Sequence, residues 1–85
     1  MKNDKEKRVE NPAATVYRIT VRERLDPDWE DRLGGMRITP HESPGETSTT
    51  LVGPLRDRAE LAGILNALYD LHLTLLGVEV VESTA

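Results

Sequence analysis

Arg18, Thr20, Arg22 and Arg24 stand at every second position and form the densest run of potential chemistry in the chain. On an extended strand, side chains two apart project from the same side, so these four define one polar stripe. A row of guanidinium groups attracts carboxylates and phosphates, which makes the chain a candidate small-ligand, anion or RNA-binding domain. Sheet platforms for single-stranded RNA also stack bases on exposed aromatic rings. Here there is no Phe, Tyr17 lies on the opposite parity, and Trp29 belongs to a short helical segment. The simpler reading is that carboxylates on a neighbouring strand neutralise the arginines, with Glu79 the natural partner if the last strand lies beside the first. The stripe is the candidate interaction face, and nucleic acid is disfavoured as its partner.

Other chemistries find less support. His41 stands beside Glu42, and His72 is the remaining histidine. A metal centre needs three or four donors brought together, and these spacings do not offer them. Asp26, Asp28, Glu30, Asp31, Asp57 and Glu60 fall at expected helix starts, where capping and the helix dipole account for them. Gly34-Gly35 is a helix stop rather than a phosphate loop. The Ser and Thr residues at 47–50 have no histidine placed to activate them. The expectation is no catalytic residue, no cofactor and no metal ligand, with a small enzyme ranked below both binding and self-association.

Composition sets the scale. The 85 residues carry 11 Lys plus Arg against 15 Asp plus Glu, a formal net charge of −4. That length suits one domain with a small core, and such a domain buries only about 60% of its unfolded surface. With no Cys, a disulfide scaffold and a thiolate metal site are both excluded. No apolar run approaches the roughly 20 residues of a membrane span, and the charged start is unlike a signal peptide, so a cytoplasmic protein is expected. Residues 1–14, rich in charge and poor in apolar side chains, read as a disordered tail ahead of a single domain over residues 15–82.

The elements that would position the stripe follow from periodicity. Tyr17, Ile19, Val21 and Leu25 alternate with the arginine parity, which predicts a half-buried strand from Thr15 that leaves the core near Glu23. Asp26 as N-cap, Pro27 at the first helical position and Gly34 as stop predict a short helix, with Trp29 and Leu33 on one face. Met36 to Thr39 predicts a second strand ending at Pro40, His41 to Glu46 a turn, and Thr47 to Val52 a third strand closed by Gly53-Pro54. Asp57 with Glu60 predicts a capping box, and Leu61, Ile64, Leu65, Leu68 and Leu71 a helix ending near His72. Gly63 inside it costs about 1 kcal/mol relative to Ala, which suggests close packing there. Leu75 to Val81 predicts a last strand with apolar residues on both parities, as in a strand covered on both faces.

Tyr17-Arg18-Ile19, Leu25 with Trp29, Gly35-Met36, the run Leu51-Val52-Gly53-Pro54-Leu55, Asp57 with Ala59, Leu61, Gly63, Ile64 and Leu65, then Asp70-Leu71 and Leu75-Leu76 together resemble a widespread family of short bacterial proteins of unknown function. The resemblance covers roughly residues 15–80, and its most distinctive piece is the GPL-x-D run leading into the long helix. It implies a stand-alone cytosolic domain and carries no established activity. Similar proteins often carry Gln at the position of Arg58 and His at that of Ala62. Both are replaced here, so no catalytic role carries over.

The expected architecture is an α+β two-layer sandwich. A four-stranded, mostly antiparallel sheet carries one long helix on one face, with a short helical turn elsewhere. The β-α-β-β-α-β order is that of ferredoxin-like sheets or of a meander variant. Ten residues between the first two strands sit at the lower limit for a parallel crossover, so an antiparallel return is equally compatible. The expected function is that of a non-enzymatic interaction module that self-associates, a dimer being favoured, through its open sheet face or edge. A further protein partner is left open, and no membrane association is expected.

Overall fold

The computed structural model describes residues 15–83; the tail expected at residues 1–14 lies outside that span. The alternating first segment forms β1 (Thr15–Val21), and a 3-10 helix follows over Pro27–Arg32. Two strands, β2 (Arg37–Ser43) and β3 (Glu46–Leu55), precede the long helix α1 (Arg58–Asp70) and the last strand β4 (Leu75–Ser83). They form an open α+β sheet in the order β2-β3-β1-β4, and each neighbouring pair is antiparallel. Because β1 and β2 both run antiparallel to β3, they are parallel to one another. The first connection is therefore a parallel crossover. β1 ends at Val21 and β2 begins at Arg37, so residues 22–36 span it, more than the ten-residue estimate allowed.

One face of the sheet carries the core. Ile19 and Val21 of β1, Ile38 of β2, and Leu51 and Leu55 of β3 are buried with Leu25, Leu33, Met36, Ile64 and Leu68. Fully burying one such side chain stabilises the fold by about 1.5–3 kcal/mol, so ten of them carry most of what holds the domain together. The 3-10 helix starts as its sequence predicts, with the Asp26 carboxylate accepting from the Asp28 backbone N–H at 2.8 Å. It stops at Gly34, whose φ of 69° is open to glycine at little cost. Helix α1 is capped by Asp57, which accepts from the Glu60 N–H at 2.8 Å, while Glu60 reaches back to the Arg56 N–H at 2.7 Å. It ends one turn's worth of hydrogen bonds later than its last helical residue. Leu73 N–H donates to Leu68 O and His72 N–H to Tyr69 O, with His72 left-handed at φ 63°.

Several boundaries differ from expectation, each for a physical reason. β2 does not end at Pro40 but runs on to Ser43, because β2 is an edge strand and the missing N–H of Pro40 faces away from β3. The turn shrinks to Pro44-Gly45, and Ser43 pairs directly with Glu46. β3 likewise continues through Gly53 and Pro54, since β2 begins at the level of Val52 and leaves Pro54 without a neighbour on that side. The close packing expected at Gly63 is found instead at Gly53, where a Cβ would lie 3.1 Å from the Met36 Cα. Gly63 is exposed, and a Cβ there would meet nothing within 4 Å. Gly63→Ala is therefore expected to raise stability by about 0.5–1 kcal/mol, read as a higher denaturant midpoint. An unchanged or lower midpoint would point to packing on the exposed side of α1.

Candidate interaction surface

The four residues of the polar stripe are not held together. Arg18 and Thr20 lie in β1 on the face opposite the core, but the strand ends at Val21 and leaves Arg22 and Arg24 beyond it. Arg18 faces Glu79 of β4 in register, and its guanidinium donates to the Glu79 carboxylate at 2.8 Å. Arg24 lies 3.4 Å from the Glu42 carboxylate of β2. Such exposed pairs are worth about 0–1 kcal/mol each, so they fix register more than they stabilise. Arg22 donates its backbone N–H to Thr74 O at 2.9 Å. Its side chain borders an open cleft of about 700 Å³ shared with Glu23, Glu46, Ser48 and Leu76. Two carboxylates oppose one guanidinium there, which weakens the cleft as an anion site. His41, expected in a turn, sits on β2 with its Nε2 3.0 Å from the Thr50 hydroxyl. His41, Glu42 and His72 form no metal-like cluster, and no group of three or more such donors occurs among the described residues.

Two polar ties fix the path from β1 to its neighbours. Thr49, the one buried polar residue among those described, donates its hydroxyl to Glu23 O at 2.8 Å and accepts from the Leu25 N–H at 3.0 Å. The Glu23 carboxylate then accepts from both the hydroxyl and the backbone N–H of Thr74, each at 2.6 Å. These bonds, the hydroxyl first, hold the Glu23 carboxyl below the usual 4.5. A depressed carboxylate contributes stability above its unfolded value that is lost as pH falls through its folded value. The melting temperature of Glu23→Gln is accordingly expected to lie below that of the wild type at neutral pH. The two should converge only as the pH drops beneath 4.5. A gap independent of pH would mean that Thr74 is held by something other than the carboxylate.

The two edges of the sheet are unlike. On β2, residues 38, 40 and 42 share one backbone direction, because successive peptide groups alternate. The Ile38 N–H donates to the Glu30 carboxylate of the 3-10 helix at 2.8 Å, so that direction is outward, away from β3. At the next outward position Pro40 has no N–H to offer, and Arg37, His41 and Glu42 add charge and polarity. Glu30 was expected only to favour a helix start; its use as a plug for a strand edge requires a contact across eight residues that no local pattern announces. These are the devices by which sheets prevent unwanted strand addition.

Among the described residues, β4 carries neither a proline nor a carboxylate plug along its central stretch, and its one charged side chain there, Glu79, is paired with Arg18. Leu75, Val78 and Val80 are in register with the core residues Val21 and Ile19 and with Tyr17 packed beside them, yet remain 48%, 39% and 58% exposed. Helix α1 leaves that side of β4 largely uncovered, and Tyr69 of α1 stands beside it 78% exposed. Leu76 and Val81 mark the two register shifts and are exposed as well. The strand expected to be covered on both faces is covered on neither among the described residues. A shallow apolar recess of about 200 Å³ lies next to it, lined by Leu65, Leu68, Tyr69, Leu73 and Leu75.

Fold and surface together define a small α+β domain whose β2 edge is partly plugged and whose β4 edge is largely apolar and exposed. The chain belongs to the family described as Domain of unknown function (DUF8691), whose model matches residues 16–79. That match runs from β1 to the Glu79 partner of Arg18. No match was found among curated proteins or among solved structures. No helix among the described residues is long and apolar enough to cross a membrane.

Proposed function

We propose that this domain is a non-enzymatic interaction module that self-associates through the β4 edge. One observation carries the reading: Glu30 occupies the outward N–H of Ile38 on β2 and Pro40 lacks the next, while β4 keeps a largely apolar, unplugged edge. A row of unpaired peptide groups is satisfied by another strand, and apolar side chains on both its faces favour a strand that brings its own. A second copy of the chain supplies both and is present wherever the protein is. Closed two-fold dimers are the commonest outcome of such pairing. The polar face around Arg18 and Thr20 then stays wet, as antiparallel sheets allow.

The two parallel crossovers and the β2-β3-β1-β4 order support a ferredoxin-like reading of the fold. A cysteine-free chain fits a cytoplasmic setting. The small-ligand or anion reading is less favoured, because Arg18 and Arg24 are already paired with carboxylates. Sedimentation velocity of the wild type tests self-association. A species of twice the 9.5 kDa chain mass is expected at roughly tens of micromolar, the weak end of specific association. A monomer throughout that range would remove the proposal.

A further inference from the structure

Resting on that reading, the geometry points to one register: we infer that two β4 strands pair antiparallel about a two-fold axis through Val78. The axis stands perpendicular to the sheet, because residues directly opposite in an antiparallel pair share a face. Val78 lies within Gly77–Val80, the regular run between the two register shifts, so pairing centred on it engages the unbulged part of the strand. The two Val78 side chains then meet on the axis.

Charge selects this register over its neighbours. Glu79 is the one charged residue in the stretch, and it sits two residues from Gly77. With the axis at Val78, each Glu79 lies opposite Gly77 of the partner subunit. Gly77 has no side chain, and a Cβ placed on it would meet nothing within 4 Å, so Glu79 keeps both space and its Arg18 partner. Moving the axis one residue to Glu79 would set two carboxylates directly opposite, which is destabilising across strands. Moving it to Gly77 would set the register shift at Leu76 opposite Val78, next to the axis. The regular run of β4 thus fits its own reverse best when centred on Val78. The result is a continuous eight-stranded sheet, with both α1 helices on the same side and a β2 edge at each end. Those outer edges carry the Glu30 and Pro40 plugs, which disfavour addition of a further copy there.

Because the chain has no Cys, single cysteine variants report the register cleanly. Val78→Cys places two sulfur atoms on the axis, where directly opposite Cα atoms lie about 4.5–5.5 Å apart, within disulfide reach. Glu79→Cys places its pair on a diagonal of about 7–8 Å, beyond that reach. Under mild oxidation Val78→Cys is expected to run as a covalent dimer on a denaturing gel and Glu79→Cys as a monomer. Both variants should melt close to the wild type, since each position is exposed. A covalent dimer from Glu79→Cys and not from Val78→Cys would overturn the register while leaving edge pairing in place. Neither variant linking, while sedimentation still shows a dimer, would place the interface elsewhere. A monomeric wild type would instead remove self-association itself.

Discussion

Thr49→Val is expected to lower the free energy of unfolding by about 2–4 kcal/mol, from two hydrogen bonds of one buried hydroxyl lost together. Valine has nearly the shape of threonine, so no cavity opens and the loss belongs to the hydroxyl. That hydroxyl is fully buried, donates to Glu23 O and satisfies the Leu25 N–H. Without it, a buried backbone donor and a partly buried carbonyl are left unpaired. A chain of this length has a total stability of about 4–12 kcal/mol, so the change removes a large share of it. Denaturant unfolding is the measurement, with a lower midpoint and an unchanged slope expected. Thr49→Ser, which keeps the hydroxyl, should lose much less. Equal losses in both variants would assign the effect to packing of the methyl group. The residue matters to the interaction surface as well, because it holds residues 23–25 on the path that ends at the Glu23–Thr74 clasp and the start of β4.

The second large effect concerns association. Val80→Lys is expected to weaken the dimer at least about 100-fold, which corresponds to about 2.7 kcal/mol. Val80 is more than half exposed in the single chain, so the substitution leaves the core intact. In the paired edge it would be buried in both copies, so two apolar contacts are lost and two ammonium groups must be desolvated. Inward-facing lysines are also the means by which natural edge strands are kept apart. Sedimentation at matched concentrations reads the shift, and the melting curve of the dilute monomer should stay near that of the wild type. Lys at His41, on the guarded β2 edge, is the comparison expected to change nothing. Dimers of equal strength in all three proteins would separate association from β4.

Much of the architecture was legible because local chemistry agreed with global packing. Asp26-Pro27 and Asp57 with Glu60 marked both helix starts, and the parity of Tyr17, Ile19 and Val21 marked the core side of β1. The Arg18–Glu79 pairing was also readable, since it needed only β4 beside β1. What could not be read were features set by position within the sheet. Pro40 and Pro54 look like strand stops in sequence, yet each sits where a neighbouring strand is absent on the N–H side. Arg22 and Arg24 continue the alternation of β1, but the chain turns away after Val21 to begin its crossover. The interaction edge was hidden for a similar reason. Apolar residues on both parities of β4 state that the strand suits burial on two faces; whether this chain supplies the cover depends on where α1 lands. Glu30 plugging Ile38 is a long-range contact of the same kind.

The central claim is that the outer peptide groups of β4 are satisfied by a second copy of β4. Hydrogen exchange, measured amide by amide at a low and a high protein concentration, tests it most directly. Half of the β4 amides point away from β1, and in the single chain they exchange as exposed groups. Protection confined to residues 75–81 and rising with concentration is the result expected, with the β2 edge unchanged. Identical exchange along β4 at both concentrations, or protection that rises on β2 instead, would contradict it.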